Sequence, residues 1–387
     1  MVATGRSPDV VVVGAGVVGA ACAYYCAAAG LHVAVVDRGG VAGGTTSGGE
    51  GNILVSDKEL GPELDLALLS IRLWARLGEE FGPASLELEH KGGVVVAQSA
   101  DAARGLAELA AEQRARGVEV DDLTPAEVAE LEPNLTPDIA SGAYYPQDKQ
   151  VQPMLAAASL LRQAVRLGAE LHTGVEVRAF RRRADGAVGG VRTSAGEFSA
   201  PWVVNAAGTW GGEVSKLAGA PIPVLPRRGF VLVTEPLPRV IRHKVYTADY
   251  VANVSSGDAG LETSVVVEGT QAGTVLIGAS RERVGFDRQF SLPVVRKLAA
   301  QAIGVFPFLA DVSLLRSYLG FRPYCPDHLP VIGEDPRLPG LLHACGHEGA
   351  GIGLAAATGH LIAQVATGVR PELDLMPFRA DRFEEVA

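Results

Sequence analysis

The most constraining stretch of this chain is DVVVVGAGVVGAACAYYCAAAGLHVAVVD, Asp9 to Asp37, which holds no Lys, Arg, Asp or Glu between its two end residues. By length it would span a bilayer, for which about 20 apolar residues suffice. Its internal punctuation argues for something else. Gly14, Gly16 and Gly19 stand at the spacing G-x-G-x-x-G directly after the β-branched run Val10 to Val13, and such a run prefers a strand. The pattern predicts a helix from Val17 to Ala29, stopped by Gly30 in the left-handed conformation, and a second strand from His32 to Val36 that ends on Asp37. Strand, glycine turn, helix, strand and acid is the order of a dinucleotide-binding unit. Gly14 permits the tight turn, Gly16 lets the backbone approach a pyrophosphate, and Gly19 lets the helix pack close. The helix N-terminus offers free N–H groups and a partial positive charge to the phosphates. Asp37 suits the ribose hydroxyls, and Ala15, Val18 and Arg38 complete the expected nucleotide contacts. The missing charge is explained if both strands are central in a parallel sheet, covered on both faces.

At 387 residues the chain has room for two domains, and 48% hydrophobic content with 47 glycines suits a globular α/β protein. A net charge of −10 argues against a nucleic-acid partner. The one basic run, Arg181-Arg182-Arg183, precedes Ala184-Asp185-Gly186, which reads as a solvated hairpin turn. Cys22, Cys26, Cys325 and Cys345 form no metal-ligand spacing, and no metal is expected. Cys22 and Cys26 share a helix face and are expected to pack as small apolar groups. No charged segment with a cleavage site precedes Val10, so a cytoplasmic protein without a transmembrane segment is expected.

The organisation is interleaved. Residues 1–85, 145–215 and 325–387 carry the pieces of a nucleotide domain: a helix over Ala156 to Leu167, strands at 170–177, 175–182 and 187–193, and buried strands at Trp202 to Ala206 and Leu341 to Cys345. Residues 86–144 and 216–324 have another texture, with Gly92 to Gln98, Phe230 to Glu235, Ser264 to Glu268 and Val275 to Gly278 reading as an antiparallel sheet. They are expected to form a discontinuous substrate domain.

A nicotinamide enzyme would need only the first glycine fingerprint, so the remainder decides the nucleotide. GGTTSGGEGN, residues 43 to 52, follows the second strand and offers hydroxyls and close-approach backbone where the rest of an extended FAD would lie; a plain glycine loop is the alternative. Gly351 to Gly353 open a late helix through about Val365. Its N-terminus would face the negative charge of a reduced flavin, or the turn is simple packing.

Together with NAAGTW (205–210), GFRPYCPDHLPVIG (320–333) and CGHEGAGIGLAAATG (345–359), these motifs make nearly the whole chain resemble the D-amino acid oxidase-like FAD oxidoreductases, a family that includes glycine oxidase, sarcosine oxidase and D-amino acid dehydrogenase. Within it the chain looks most like the β subunits of opine oxidase, hydroxyproline dehydrogenase and hydrogen cyanide synthase. The resemblance implies a Rossmann-type FAD-binding domain with an interleaved antiparallel substrate domain, and oxidation of an amino acid or secondary amine by hydride transfer to flavin N5. It implies FAD contacts at Gly44, Thr45, Thr46, Ser47, Glu50, Gly51 and Asn52, at Val177, Ala207, Gly208 and Trp210, and at Gly346, Gly351, Ile352 and Gly353. Arg322 matches the arginine that binds the substrate carboxylate in several members; a surface ion pair is its plain alternative.

Departures from the family matter too. Glycine oxidase has a second arginine where this chain has Gly349, with Glu348 beside it. Glu348 would meet a substrate amine or cap the following helix. His347 would bond flavin or substrate, or be satisfied by backbone. Cys325 is offset from the cysteine that holds flavin covalently in sarcosine oxidase, and Ser47 replaces a histidine near that flavin, so FAD is expected to be non-covalent. Tyr250 and Tyr318 are expected on the pocket wall. The β-subunit likeness suggests companion flavin and iron–sulfur subunits, since four scattered cysteines do not make a cluster. The rivals are a nicotinamide dehydrogenase and a non-catalytic FAD-containing subunit.

Overall fold

The computed structural model describes residues 7–250 and 258–386. The valine run forms strand β1 (Val10–Val13), the segment after the glycines forms helix α1 (Val17–Ala28), and strand β2 follows (Val33–Asp37). Val10, Val12, Val33 and Val35 enter one core, while Val11, Val13, Ala34 and Val36 enter another on the opposite face. Cover on both faces is why the sequence shows no polar alternation here.

β1 lies inside a six-stranded sheet whose order is 331–334, 341–345, 202–205, 10–13, 33–37 and 170–173. The neighbours run parallel except at the 331–334 edge. Val13 stands opposite both Val36 and Asn205, so the carboxyl ends of three strands align where the glycine turn begins. On one face, α1 packs against the helices Pro153–Arg166 and Gly351–Ala366. Small residues bring α1 and the 351–366 helix close: a Cβ on Gly359 would stand 2.5 Å from the carbonyl carbon of Ala21. Cys22 and Cys26 are buried there as free thiols. The other face is covered by a three-stranded antiparallel sheet, 177–182, 188–193 and 196–198, with the arginine run at its exposed hairpin. The strand expected over 170–177 ends at Thr173, where Gly174 takes a positive φ of 70° and turns the chain toward this second layer.

Residues 348–366 are the single stretch, among the described residues, long and apolar enough to cross a membrane by composition, and 61% of it is buried inside the fold. The helix α2 (Pro62–Phe81) covers it, with Trp74 Nε1 donating to the carbonyls of Ile352 at 3.2 Å and Gly353 at 3.1 Å.

The second sheet has eight strands in the order 314–324, 225–234, 275–281, 262–269, 244–247, 93–97, 141–145 and 121–123. Its strands alternate. Phe230, Leu232, Val265, Val267, Val94 and Val96 meet the helix Leu292–Val305 on one face, whereas Val95, Tyr246, Val266 and Ala279 join the core shared with α1. The expected antiparallel pattern fails at one place: Gly93–Ala97 and Lys244–Thr247 pair in parallel. These strands lie far apart in the chain, and the segment between them passes through the nucleotide layer, which supplies the long crossover a parallel pair needs.

Candidate active site and cofactor cleft

One elongated cleft, with a cavity volume of about 370 Å³, runs between the two sheets and is lined both by the turn at Gly14 and Gly16 and by Gly351 and Ile352. At its first end the glycines divide by cause. Gly14 has φ 118°, and a Cβ there would stand 2.3 Å from the Ala206 carbonyl oxygen; a Cβ on Gly19 would stand 2.0 Å from the carbonyl oxygen of Gly14. Both are glycine because the protein's own backbone occupies the space. Gly16 is different. Its Cβ would meet only Thr46 Oγ1, at 3.1 Å, and the residue otherwise faces the cleft. Thr46 Oγ1 also accepts from Val17 N at 3.0 Å and so caps the first turn of α1.

Asp37 ends β2 with its carboxylate accepting from Ala15 N and Gly39 N, both at 2.7 Å, which fixes it at the cleft wall with lone pairs to spare. Val18, Val177, Ala207 and Gly208 line the same end. The Arg38 guanidinium lies 4.5 Å above the Trp210 ring, whose other neighbour is a stacked Phe286 at 5.4 Å.

Along the middle, Gly44, Thr45, Thr46, Glu50 and Asn52 line the cleft. Thr45 and Thr209 hydroxyls both reach the Phe321 carbonyl, at 2.8 and 2.6 Å, tying the 43–52 loop to the strand Leu314–Tyr324. Glu50 is buried, and burial raises its carboxyl above the usual range. Glu50 Oε1 and Asn52 Oδ1 are buried oxygens without a hydrogen-bond partner among the described residues.

The far end carries charge. Arg322 projects from the strand Leu314–Tyr324 and donates from Nη1 to the Ser280 carbonyl at 2.8 Å. Gly229 makes room for it, since a Cβ there would stand 2.2 Å from that nitrogen. Arg322 forms no ion pair among the described residues, and burial followed by the nearby Arg281 charge pushes its pKa down to about 10. Directly opposite in register sits Arg227, a buried arginine that sequence reading did not single out. Its guanidinium binds Glu262 at 2.8 Å and Glu348. Glu348 also takes His328 Nδ1 at 2.9 Å. Thus Glu348 neither caps the helix, whose first turn has no side-chain cap, nor stands free for an amine. It balances Arg227, and its carboxyl is held below the ordinary range by these two partners against the cost of burial.

His347 lines the cleft and is buried, and burial lowers its pKa to about 3. Its Nε2 lies 2.9 Å from Thr358 Oγ1, so a side chain of the 351–366 helix satisfies it rather than backbone. Tyr250 is buried on the wall beneath the Arg281 guanidinium, 4.8 Å from its ring centre. Tyr318 lies off the cleft lining, because its hydroxyl donates to the Gly49 carbonyl at 3.1 Å.

Six other expected cofactor contacts also lie off the cleft lining. Ala15 and Gly19 sit beneath the turn. Ser47 is exposed and donates to the Gly44 carbonyl at 3.1 Å. Gly51 is needed for packing, since a Cβ would stand 1.8 Å from the Val151 oxygen; Gly346, with φ 81°, packs on Cys325 Sγ; Gly353 packs on the 52–53 backbone. Gly229, which lines the cleft, and Arg227 and Arg281, which lie near Arg322 without lining the cleft, escaped sequence reading because they sit in ordinary-looking strands that the sheet brings together.

The family of FAD dependent oxidoreductases designated DAO matches residues 9–365. The chain is 30% identical to hydrogen cyanide synthase subunit HcnC of Pseudomonas aeruginosa, covering 98% of this chain and 97% of that one. It is 32% identical to glycine oxidase of Geobacillus kaustophilus, covering 97% of each. The crystal structure of that glycine oxidase aligns with a TM-score of 0.87 at 29% identity, over 97% of this chain and 98% of the other. L-proline dehydrogenase from P. horikoshii, at 23% identity and TM-score 0.89 over 98% and 99%, shares the fold. The cofactor of the family suits the cleft: Gly16 keeps the first turn open to a ligand, and the unpartnered Glu50 and Asn52 oxygens line the middle. The nicotinamide alternative is thereby set aside, and the chain belongs to the DAO family of FAD-dependent oxidoreductases.

Proposed function

We propose that the protein oxidises the carbon–nitrogen bond of an amino acid or secondary amine to the imine, with the substrate carboxylate held by Arg322. The observation that supports this most is a half-buried guanidinium, in the cleft that begins at the dinucleotide turn, engaged by one backbone carbonyl and by no carboxylate among the described residues. A planar guanidinium can donate two parallel hydrogen bonds to a carboxylate and so fix the carbon next to it. FAD, when bound, supplies the acceptor for the hydride leaving that carbon.

The chain's other residues orient and exclude. Arg227 is neutralised by Glu262 and Glu348, whereas Arg322 has no carboxylate partner among the described residues and is open to substrate. Thr358 Oγ1 donates to the Leu354 carbonyl at 2.9 Å and therefore accepts from His347 Nε2–H, so His347 Nδ1 is left as an acceptor. Kept neutral by burial, that imidazole orients an N–H group and adds no charge at working pH. Tyr250, whose pKa burial raises, walls the site as a neutral phenol.

The test is anaerobic mixing of the yellow protein with glycine, sarcosine, proline and D-alanine. Bleaching of the flavin band by at least one of them, lost in Arg322→Met, is expected. A flavin that no amine bleaches would favour a non-catalytic subunit and end this reading. The likeness to a hydrogen cyanide synthase subunit supports electron delivery to a companion subunit rather than to oxygen. Turnover with a dye but without oxygen consumption is the expected outcome, and rapid oxygen uptake by the isolated chain would overturn it.

A further inference from the structure

We propose that Arg281 is a second carboxylate-binding residue, and that the preferred substrate is a secondary amine bearing two carboxylates, one on Arg322 and the other on Arg281. The proposal rests on the reading of Arg322 given above and narrows it to a substrate class.

Arg281 ends the strand Val275–Arg281, next to Ser280, whose carbonyl holds Arg322. It is 4% exposed and stacks on Tyr250, yet its guanidinium forms no hydrogen bond or ion pair among the described residues. Its neighbours on the strand Leu225–Thr234 behave otherwise: Arg227 and Arg228 each hold two carboxylates. A guanidinium taken out of water without an anion is costly, so an unmatched one facing a chamber marks a place for a ligand's charge.

That chamber has a cavity volume of about 160 Å³ and shares Tyr250, His347, Glu348 and Gly349 with the cofactor cleft. Its buried acids are already matched. Asp57 pairs with Lys58 at 2.9 Å, Glu63 with Lys58 at 3.4 Å, and Glu348 with Arg227 and His328. Asp327 pairs with Arg382 at 2.6 Å, and Glu59 is exposed at the rim. Gly349 lines both spaces, and a side chain there would begin in contact, 3.6 Å, with the Arg322 Cδ and Nε atoms. The Arg281 charge also helps depress the Arg322 pKa, so two like charges bear on one space that an anion with two carboxylates would neutralise.

The experiment compares iminodiacetate with sarcosine, which share the amine and one carboxylate, as reductants of the holoenzyme flavin under anaerobic conditions. Wild type is expected to favour iminodiacetate by about 100-fold in kcat/KM, Arg281→Met to bring that ratio to within about threefold, and Arg281→Lys to restore part of it. Perturbation of the flavin absorbance by oxydiacetate against methoxyacetate reads binding without turnover, and the same collapse is expected. Flavin content and melting temperature identify a variant that has simply failed to fold. A wild-type ratio near one, or a preference that survives in Arg281→Met, overturns the proposal. If no amine reduces the flavin, the broader reading fails, and the oxydiacetate titration still decides whether Arg281 binds a carboxylate.

Discussion

The two ends of the cleft are built from different materials. At the dinucleotide end, Gly14, Gly16 and Gly19 lie within six consecutive residues, and two of them are dictated by contacts with the local backbone and the adjoining 206 strand end. At the other end, Arg227, Arg281, Arg322, His328 and Glu348 come from separate stretches, and each side chain is placed by a neighbour far away in sequence. Backbone geometry leaves a sequence signature because it forbids side chains. A network of matched and unmatched charges leaves none, since any strand can carry an arginine.

The contrast makes the largest effects fall on the glycines. Gly14→Ala and Gly19→Ala each push a Cβ into backbone, and a loss of about 4 kcal/mol or more, with little soluble flavoprotein, is expected in a melt. Gly16→Ala separates fold from cofactor. Its apoprotein is expected to melt within a few degrees of wild type while flavin affinity, read by fluorescence titration, drops at least about tenfold. Equal damage at all three glycines would erase the distinction drawn between them.

Next comes Arg322→Met, for which a fall of about 1,000-fold in kcat/KM for a carboxylate-bearing amine is expected with flavin content unchanged. Glu348→Gln leaves the Arg227 charge with Glu262 alone, and a stability loss of about 3 kcal/mol in denaturant titration is expected. His347 gives a signed pH dependence. The unfolded chain binds its proton below about 6.5, while the fold takes it only near 3. Stability therefore rises with pH across that window, and is lost as pH falls from 6.5 towards 3. His347→Gln is expected to flatten that slope, and an unchanged slope would show that the imidazole is charged in the fold. Smallest is Tyr318→Phe, which removes the bond to the Gly49 carbonyl and is expected to cost about 1 kcal/mol with little change in turnover.

Much of the fold was legible because it rests on local patterning. The Val10–Val13 strand, the glycine turn and the Val17–Ala28 helix follow from β-branching, glycine spacing and small-residue content, and the helix at 351–366 from its own glycine opening. The strands of the second sheet were visible as apolar runs, but the parallel pairing of 93–97 with 244–247 was not. Pairing direction depends on how two segments distant in the chain meet. Of the nucleotide contacts expected within residues 43–52, Ser47 turns outward and Gly51 faces the Val151 backbone, because each is fixed by a contact made elsewhere in the fold.

By itself the sequence determined the dinucleotide turn and the interleaving of two textures along the chain, because each depends on local patterning of the backbone, while the family resemblance made Arg322 a candidate. Only the tertiary structure decided that Glu348 serves Arg227 and His328, that Tyr318 holds a loop, and that Arg281 stands beside Arg322 without a carboxylate of its own. The physical reason is that electrostatic matching acts through space at a few ångströms, between residues whose separation in sequence carries no information about it.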